Sequence, residues 1–340
     1  MGNPYSGRPG YTYWRQGVSE ASLDDFDPVQ TAPFTINKSD NIATCGSCFA
    51  QHISRLLMRN GYKYLVTERF EPRPGVVDEG YGVYPARFGN VYTPRQLLQL
   101  FGRAYGLYRP TEQHWLGKHG AFVDPFRPRI QSRGFPNLAD LESDLSTHLA
   151  AVRDMFERAD VFIYTMGLTE HWYCKRDGAV LPLAAGVVSN ACDPSNYGFG
   201  NFTVAELVSD LNKFLELLNE VNPGCKVILT VSPVPLVATY EDRHVLLSTV
   251  ASKSKLRAAA DEVCATSGVA YFPSYELITG PLARYGFYQD DLREVSEAGV
   301  EYVMSRFERH YLKDGVESSV APRATAPRPA PPAEKPTERQ

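Results

Sequence analysis

The sequence predicts an α/β protein whose central parallel sheet is covered by helices on both faces, a three-layer sandwich. Two observations carry this. Runs of strand length alternate with stretches of helical period along most of the chain. Runs such as Val161–Met166 and Lys226–Val231 are also apolar almost throughout, as strands buried on both faces are. Apolar residues make up 43% of the chain and charged residues 22%, so a sizeable core can form.

The elements follow in order. Residues 1–40 are rich in Pro, aromatic and acidic side chains without a sustained period, and read as an arm or lid laid over the domain. Ile42–Cys45 is a short strand that turns at Gly46. Helical spacing then puts Phe49, Ile53, Leu56 and Leu57 on one face. Tyr62–Thr67 reads as a second strand. Residues 67–135, rich in Tyr, Arg, Pro and Gly, form a large insertion after it, a candidate cap over a site. Within that stretch Thr93–Tyr105 reads as a helix, with Thr93 as N-cap and Pro94 in the first turn. Asn137–Phe156 is a long amphipathic helix, and Val161–Met166 is a strand bounded by Gly167. A helix over Thr203–Val221, a strand over Lys226–Val231, a helix over Val245–Thr266, a strand over Val269–Pro273 and a helix over Ser296–Tyr311 complete the domain, expected to span 41–312. Residues 313–340 are Pro/Ala-rich and read as a disordered tail.

The net charge of −4 argues against nucleic acid or an anionic membrane surface as partner. No apolar run approaches the roughly 20 residues that span a bilayer, and no secretory signal is expected at the N-terminus. Six Cys are present. Cys45 and Cys48 have C-x-x-C spacing without a second pair, so neither zinc nor a redox motif is expected. Reduced thiols, a cytoplasmic location and no metal or resident cofactor are the expectation. Oligomeric state is open.

In parallel sheets ligands bind at the carboxyl ends of strands. One such end, Gly46-Ser47-Cys48-Phe49-Ala50, places two nucleophile-type side chains where a strand passes into a helix. Free N–H groups and the helix dipole there favour a thiolate or an oxyanion. The plainer alternative is that Cys48 is a small core residue.

This segment resembles the signature of the GSCFA family, which is similar to the SGNH/GDSL hydrolases, an SGNH/flavodoxin-like fold. The resemblance runs from about Tyr11 to about Leu312. Laid over the Gly-Asp-Ser-Leu motif, Gly46 matches Gly, Ser47 takes the place of Asp, and Cys48 that of the nucleophilic Ser. Gly167-Leu168-Thr169-Glu170 lies where these enzymes carry Gly-x-Asn-Asp, which implies oxyanion donors at Gly167 and Thr169, with Glu170 and His171 as an acid–base pair at the rim. Gly89 and Asn90 lie where a second oxyanion glycine is carried. Asp291 matches the Asp of Asp-x-x-His, but Glu294 stands in place of the His. A substitute base is sought in His244, then His171, then His52, and Glu294 is the carboxylate alternative. Arg87 and Arg127 either bind an anionic part of a substrate or pin the insertion as ion-pair partners.

The resemblance implies an O-acyl esterase or acyltransferase with a Cys nucleophile. Its substrate would be an ester of a carbohydrate or another small hydroxylated compound, with a coenzyme A thioester as a conceivable acyl donor. The alternative is an inactive hydrolase-fold module that binds a carbohydrate or acyl ligand.

Overall fold

The computed structural model describes residues 3–72, 78–117, 120–189, 193–265 and 268–313. The expected tail, 314 onward, lies outside the described residues.

In chain order the elements are β1 (Ile42–Gly46), α1 (Ala50–Arg59), α2 (Pro94–Ala104), β2 (Trp115–Leu116), β3 (Phe122–Val123), α3 (Leu138–Arg158), β4 (Val161–Met166), β5 (Glu170–Cys174), β6 (Val180–Leu181) and α4 (Ala185–Val188). There follow β7 (Tyr197–Asn201), α5 (Val204–Val221), β8 (Lys226–Val231), α6 (Val245–Val263), β9 (Val269–Phe272), α7 (Ser274–Thr279) and α8 (Glu297–Tyr311).

The central sheet has four strands in the order β1-β4-β8-β9, all parallel. Alternate residues of each strand enter two different cores. Ala43, Cys45, Phe162, Tyr164, Val227 and Leu229 pack with α2, α3, α5 and α6. Ile42, Val161, Ile163, Ile228 and Phe272 pack with α1, α7 and α8. This is the expected three-layer α/β sandwich.

The helices begin where the sequence provides caps. Thr93 Oγ1 accepts from the Gln96 N–H at 3.2 Å, and Gln96 Oε1 accepts from the Thr93 N–H at 3.0 Å. Thr203 and Glu206 repeat this box at the start of α5.

Three expectations need correction. Tyr62–Thr67 is not a strand: its backbone pairs with the sheet only at a parallel bridge from Tyr64 to Ile42, because the chain leaves the edge at once to pair Thr67 with Pro85. The 67–135 stretch is not all peripheral, since Leu97, Leu100 and Phe101 of α2 are core residues. The helix expected to reach Thr266 ends at Val263. A three-stranded antiparallel sheet, β6-β5-β7, was not anticipated.

The N-terminal arm lies along α8. Tyr302 and Arg306 donate to the carbonyls of Leu23 and Asp24 at 2.9 and 2.7 Å, and Asp27 accepts from His310 and Arg309.

Candidate active site

The turn after β1 is set by Gly46. Its φ is +133°, and a Cβ there would lie 2.2 Å from the Thr165 carbonyl oxygen, so only Gly fits. The register pairs Gly46 with Thr165. The two strand ends therefore emerge side by side, and a Cβ placed on Gly167 would be 3.2 Å from Ser47 Cβ.

The two candidate nucleophiles, Ser47 and Cys48, and the neighbouring Cys45 separate by burial. Cys45 is enclosed, and burial pushes its thiol far above the ordinary range. Ser47 is also buried, and its Oγ has no hydrogen-bond partner among the described residues. Cys48 alone is exposed. The first amides of α1 bond back to Ser47 and Cys48, but the N–H groups of Cys48 and Phe49 have no acceptor among the described residues.

The 84–92 segment forms a second wall. The Val91 N–H donates to Gly46 O at 2.9 Å. Tyr84 Oη lies 3.0 Å from Ser47 O and 2.8 Å from Asn90 Oδ1. Asn90 Nδ2 donates to Tyr92 Oη at 3.0 Å. Gly89, at φ +70°, turns the chain, and the Gly89 and Asn90 N–H groups are also without acceptors among the described residues. A cavity of about 220 Å³ opens against this wall, lined by Gln51, Tyr84, Gly89, Asn90, Tyr92 and Arg129, among others.

Beneath the turn lies Lys253 of α6, fully buried, with Nζ donating to Gly167 O at 2.7 Å. Burial lowers its pKa to about 7; the nearby Cys48 charge works upward and Arg293 downward. Burial raises Tyr92, and the Cys48 charge adds to it, while Arg129 and Arg293 lower it. Arg293 Nε is buried without a hydrogen-bond partner among the described residues.

Several expected site residues are occupied elsewhere. The Gly167 N–H donates to Tyr92 O at 2.8 Å, so it is not a free oxyanion donor. Thr169 is fully buried, its hydroxyl donating to Asn201 Oδ1 at 2.8 Å and its N–H to Ser252 Oγ at 3.0 Å. Glu170 accepts from the Thr239 hydroxyl and the Tyr240 N–H, which ties down the loop after β8. His171 stacks on Phe202 with centroids 3.7 Å apart and sits against Gly200, on the β5–β7 sheet. His244 is exposed and caps α6, Nδ1 accepting from the Leu246 N–H at 3.1 Å. His52 packs on Phe49, and burial lowers its pKa.

Asp291 is exposed and accepts from the Arg293 and Glu294 N–H groups, both at 2.9 Å. Glu294 faces solvent as well. The residue of this segment that reaches the site is Arg293. Arg87 and Arg127 are ion-paired within the fold. Both are buried on Asp144, and Arg127 also on Asp124, so they pin the insertion.

A model of the GSCFA family matches residues 41–307. The chain belongs to the GSCFA family. No characterised sequence matches it. Solved structures to which this GSCFA chain is similar include a carbohydrate esterase family 3 protein from Talaromyces cellulolyticus, at 10% identity and a TM-score of 0.34, over 79% of this chain and 94% of that one. Another is described as a platelet activating factor from Streptococcus pneumonia, at 14% identity and a TM-score of 0.27, over 50% and 66% of the two chains. At such distances the functional reading rests on this chain's own side chains. No helix among the described residues is long and apolar enough to cross a membrane.

Sequence reasoning missed Lys253 and Arg293. A signal for Lys253 was present: it shares the buried stripe of α6 with Ser252, Leu256, Ala260 and Val263, where a cation is out of place.

Proposed function

We propose that the chain is an esterase or acyltransferase that carries an acyl group on Cys48. The supporting observation is the turn itself. An exposed thiol stands at the tip of β1; in this turn and the wall facing it, the N–H groups of Cys48, Phe49, Gly89 and Asn90 have no acceptor among the described residues, and the wall's Tyr84, Gly89 and Asn90 line an open cavity. A thiolate at Cys48 attacks the acyl carbon, and the carbonyl π pair moves onto oxygen. Backbone N–H groups directed at that oxygen stabilise it as charge develops. Loss of the alcohol leaves a thioester on Cys48, which water or an acceptor hydroxyl then resolves. Asn90, Tyr92 and Gln51 give the cavity a polar lining suited to a hydroxylated alcohol part such as a carbohydrate, and a coenzyme A thioester would suit a thiol site as donor.

The test is labelling with p-nitrophenyl acetate followed by peptide mass mapping. The acetyl adduct is expected on Cys48 and absent in Cys48→Ala. An adduct on Ser47, or undiminished labelling of Cys48→Ala, overturns the assignment. No histidine among the described residues is hydrogen-bonded to Cys48, which favours the second reading, a binding module without turnover. Carbohydrate binding by a protein that no activated ester acylates would establish it.

A further inference from the structure

The geometry points to Lys253 as the proton acceptor of Cys48, a Cys–Lys couple in place of the Cys–His couple that the hydrolase resemblance implies. The assignment rests on the reading of Cys48 as nucleophile, and it goes beyond that reading by naming the base.

Three observations carry it. First, Lys253 is fully enclosed and has no carboxylate partner among the described residues; its one hydrogen bond there is to Gly167 O at 2.7 Å. A buried ammonium without a counter-ion is costly and sheds a proton readily. Second, Gly167 abuts Ser47, the residue before Cys48, so Nζ is held under the nucleophile turn by the neighbouring strand end. Third, none of the three histidines that the sequence offers as a base is placed to compete. His244 caps a helix, His171 is stacked on Phe202, and His52 is packed on Phe49.

The charged groups facing Lys253 are Cys48 from the turn and Arg293 from the segment before α8. Tyr92, which faces Cys48, has Arg129 and Arg293 beside it. Arg293 disfavours a second positive charge at Lys253, and a thiolate at Cys48 favours it. A pKa near 7 for the lysine suits a group that must take and return a proton at neutral pH.

The step balances as follows. Neutral Lys253 keeps one N–H on Gly167 O and uses its lone pair to take the Cys48 thiol proton, giving an ammonium and a thiolate. The thiolate forms the C–S bond. When the tetrahedral adduct breaks its C–O bond, the ammonium returns the proton to the departing alkoxide. In the second half, Lys253 takes a proton from water or an acceptor hydroxyl as that oxygen attacks the thioester, and the proton passes back to the thiolate sulfur on release.

The experiment is iodoacetamide alkylation of the full chain, read at the Cys48 peptide by mass spectrometry, which asks nothing of any ester. At pH 7 the wild type is expected to react at least about 10-fold faster than Lys253→Met. The gap should close by pH 10, where an unassisted thiol is ionised anyway. Equal rates at pH 7 in two folded proteins overturn the couple. Should Lys253→Met fail to fold, the wild type decides alone: Cys48 must react about 10-fold faster folded than in urea at pH 7, and no advantage overturns the proposal. If Cys48 is Lys253-dependent in alkylation yet p-nitrophenyl acetate leaves it unlabelled, the acyl chemistry is wrong and the couple stands. If the ester labels Cys48 equally well without Lys253, the reverse holds.

Discussion

Arg127 and Lys253 are both enclosed cations, 3% and 0% exposed, and their surroundings differ in one respect. Arg127 lies between two carboxylates, 2.7 Å from Asp124 and 2.9 Å from Asp144, and Arg87 shares Asp144 at 3.3 Å. Lys253 has a backbone carbonyl and, nearby, a thiol and another cation. A guanidinium cannot give up its proton, so its burial has to be compensated by fixed negative charge, and the resulting network is structural. A buried lysine has another way out: it can lose the proton. The cation without a carboxylate partner among the described residues is therefore the one available for chemistry, and the well-paired arginines, for which the sequence left anion binding and bracing both open, have the contacts of braces for the 67–135 stretch.

The largest expected effect separates the two in stability. Arg127→Met removes the guanidinium that Asp124 and Asp144 both pair with in the core and is expected to cost about 3–5 kcal/mol in urea unfolding, the usual result of removing one partner of a buried pair. Lys253→Met removes a charge with no counter-ion and keeps the apolar stem, so stability at pH 7 should hold or rise while Cys48 reactivity falls. If Lys253→Met is as destabilising as Arg127→Met, the lysine is also a brace and the contrast fails.

The pH dependence sharpens the comparison, because the two clusters have opposite limbs. Burial works to raise Glu68, but the His148 hydrogen bond and the Arg127 charge prevail and hold it at about 2 against an ordinary value of 4.5. Its pKa is depressed in the folded state. The stability it contributes is present above about 4.5 and is lost as the pH falls toward 2. Lys253 is depressed too, from 10.5 to about 7, but it is a base. Its burial weighs fully against folding below pH 7, and the weight lifts as pH rises toward 10.5, where the unfolded chain still binds the proton. Urea midpoints of the wild type relative to Lys253→Met should thus rise between pH 7 and 10, and those relative to Glu68→Gln should fall below pH 4.5. A flat Lys253 difference over that range means that the lysine stays charged throughout.

The sheet was legible because β4 and β8 are unbroken apolar runs, and periodicity of that kind survives any tertiary context. β5–β7 was not, since its strands are short and carry Gly198 and Gly200 where Tyr173 and His171 need the room. The Cys48 turn could be read because strand, Gly46 and helix are contiguous in sequence. Its neighbours could not. Gly167 falls at the expected place, but its N–H is taken by Tyr92 O, a contact from a loop of no period. In the last motif, counting residues selected Glu294. The backbone selects otherwise: Leu292 adopts φ +55° and Asp291 holds the next two amides, so that Arg293 turns inward and Glu294 outward. A register read from sequence assumes regular backbone, and a left-handed residue breaks it.

The smallest effect is expected at His244, the histidine ranked first from sequence. Its ring nitrogen accepts the Leu246 N–H at the start of α6. That is the work of an N-cap, worth at most about 1 kcal/mol at an exposed helix start. His244→Ala should lower the urea midpoint by that amount, and His244→Asn, which can cap through its side-chain oxygen, should restore it. Alkylation of Cys48 at pH 7 should stay within about two-fold of the wild type in both variants, because neither alters Lys253 or the β1 turn. A ten-fold loss of Cys48 reactivity in His244→Ala, with stability intact, would transfer the proton to the histidine. Lys253 would then be only a buried hydrogen-bond donor that holds Gly167 in place, and its difference from Arg127 would be one of structure alone.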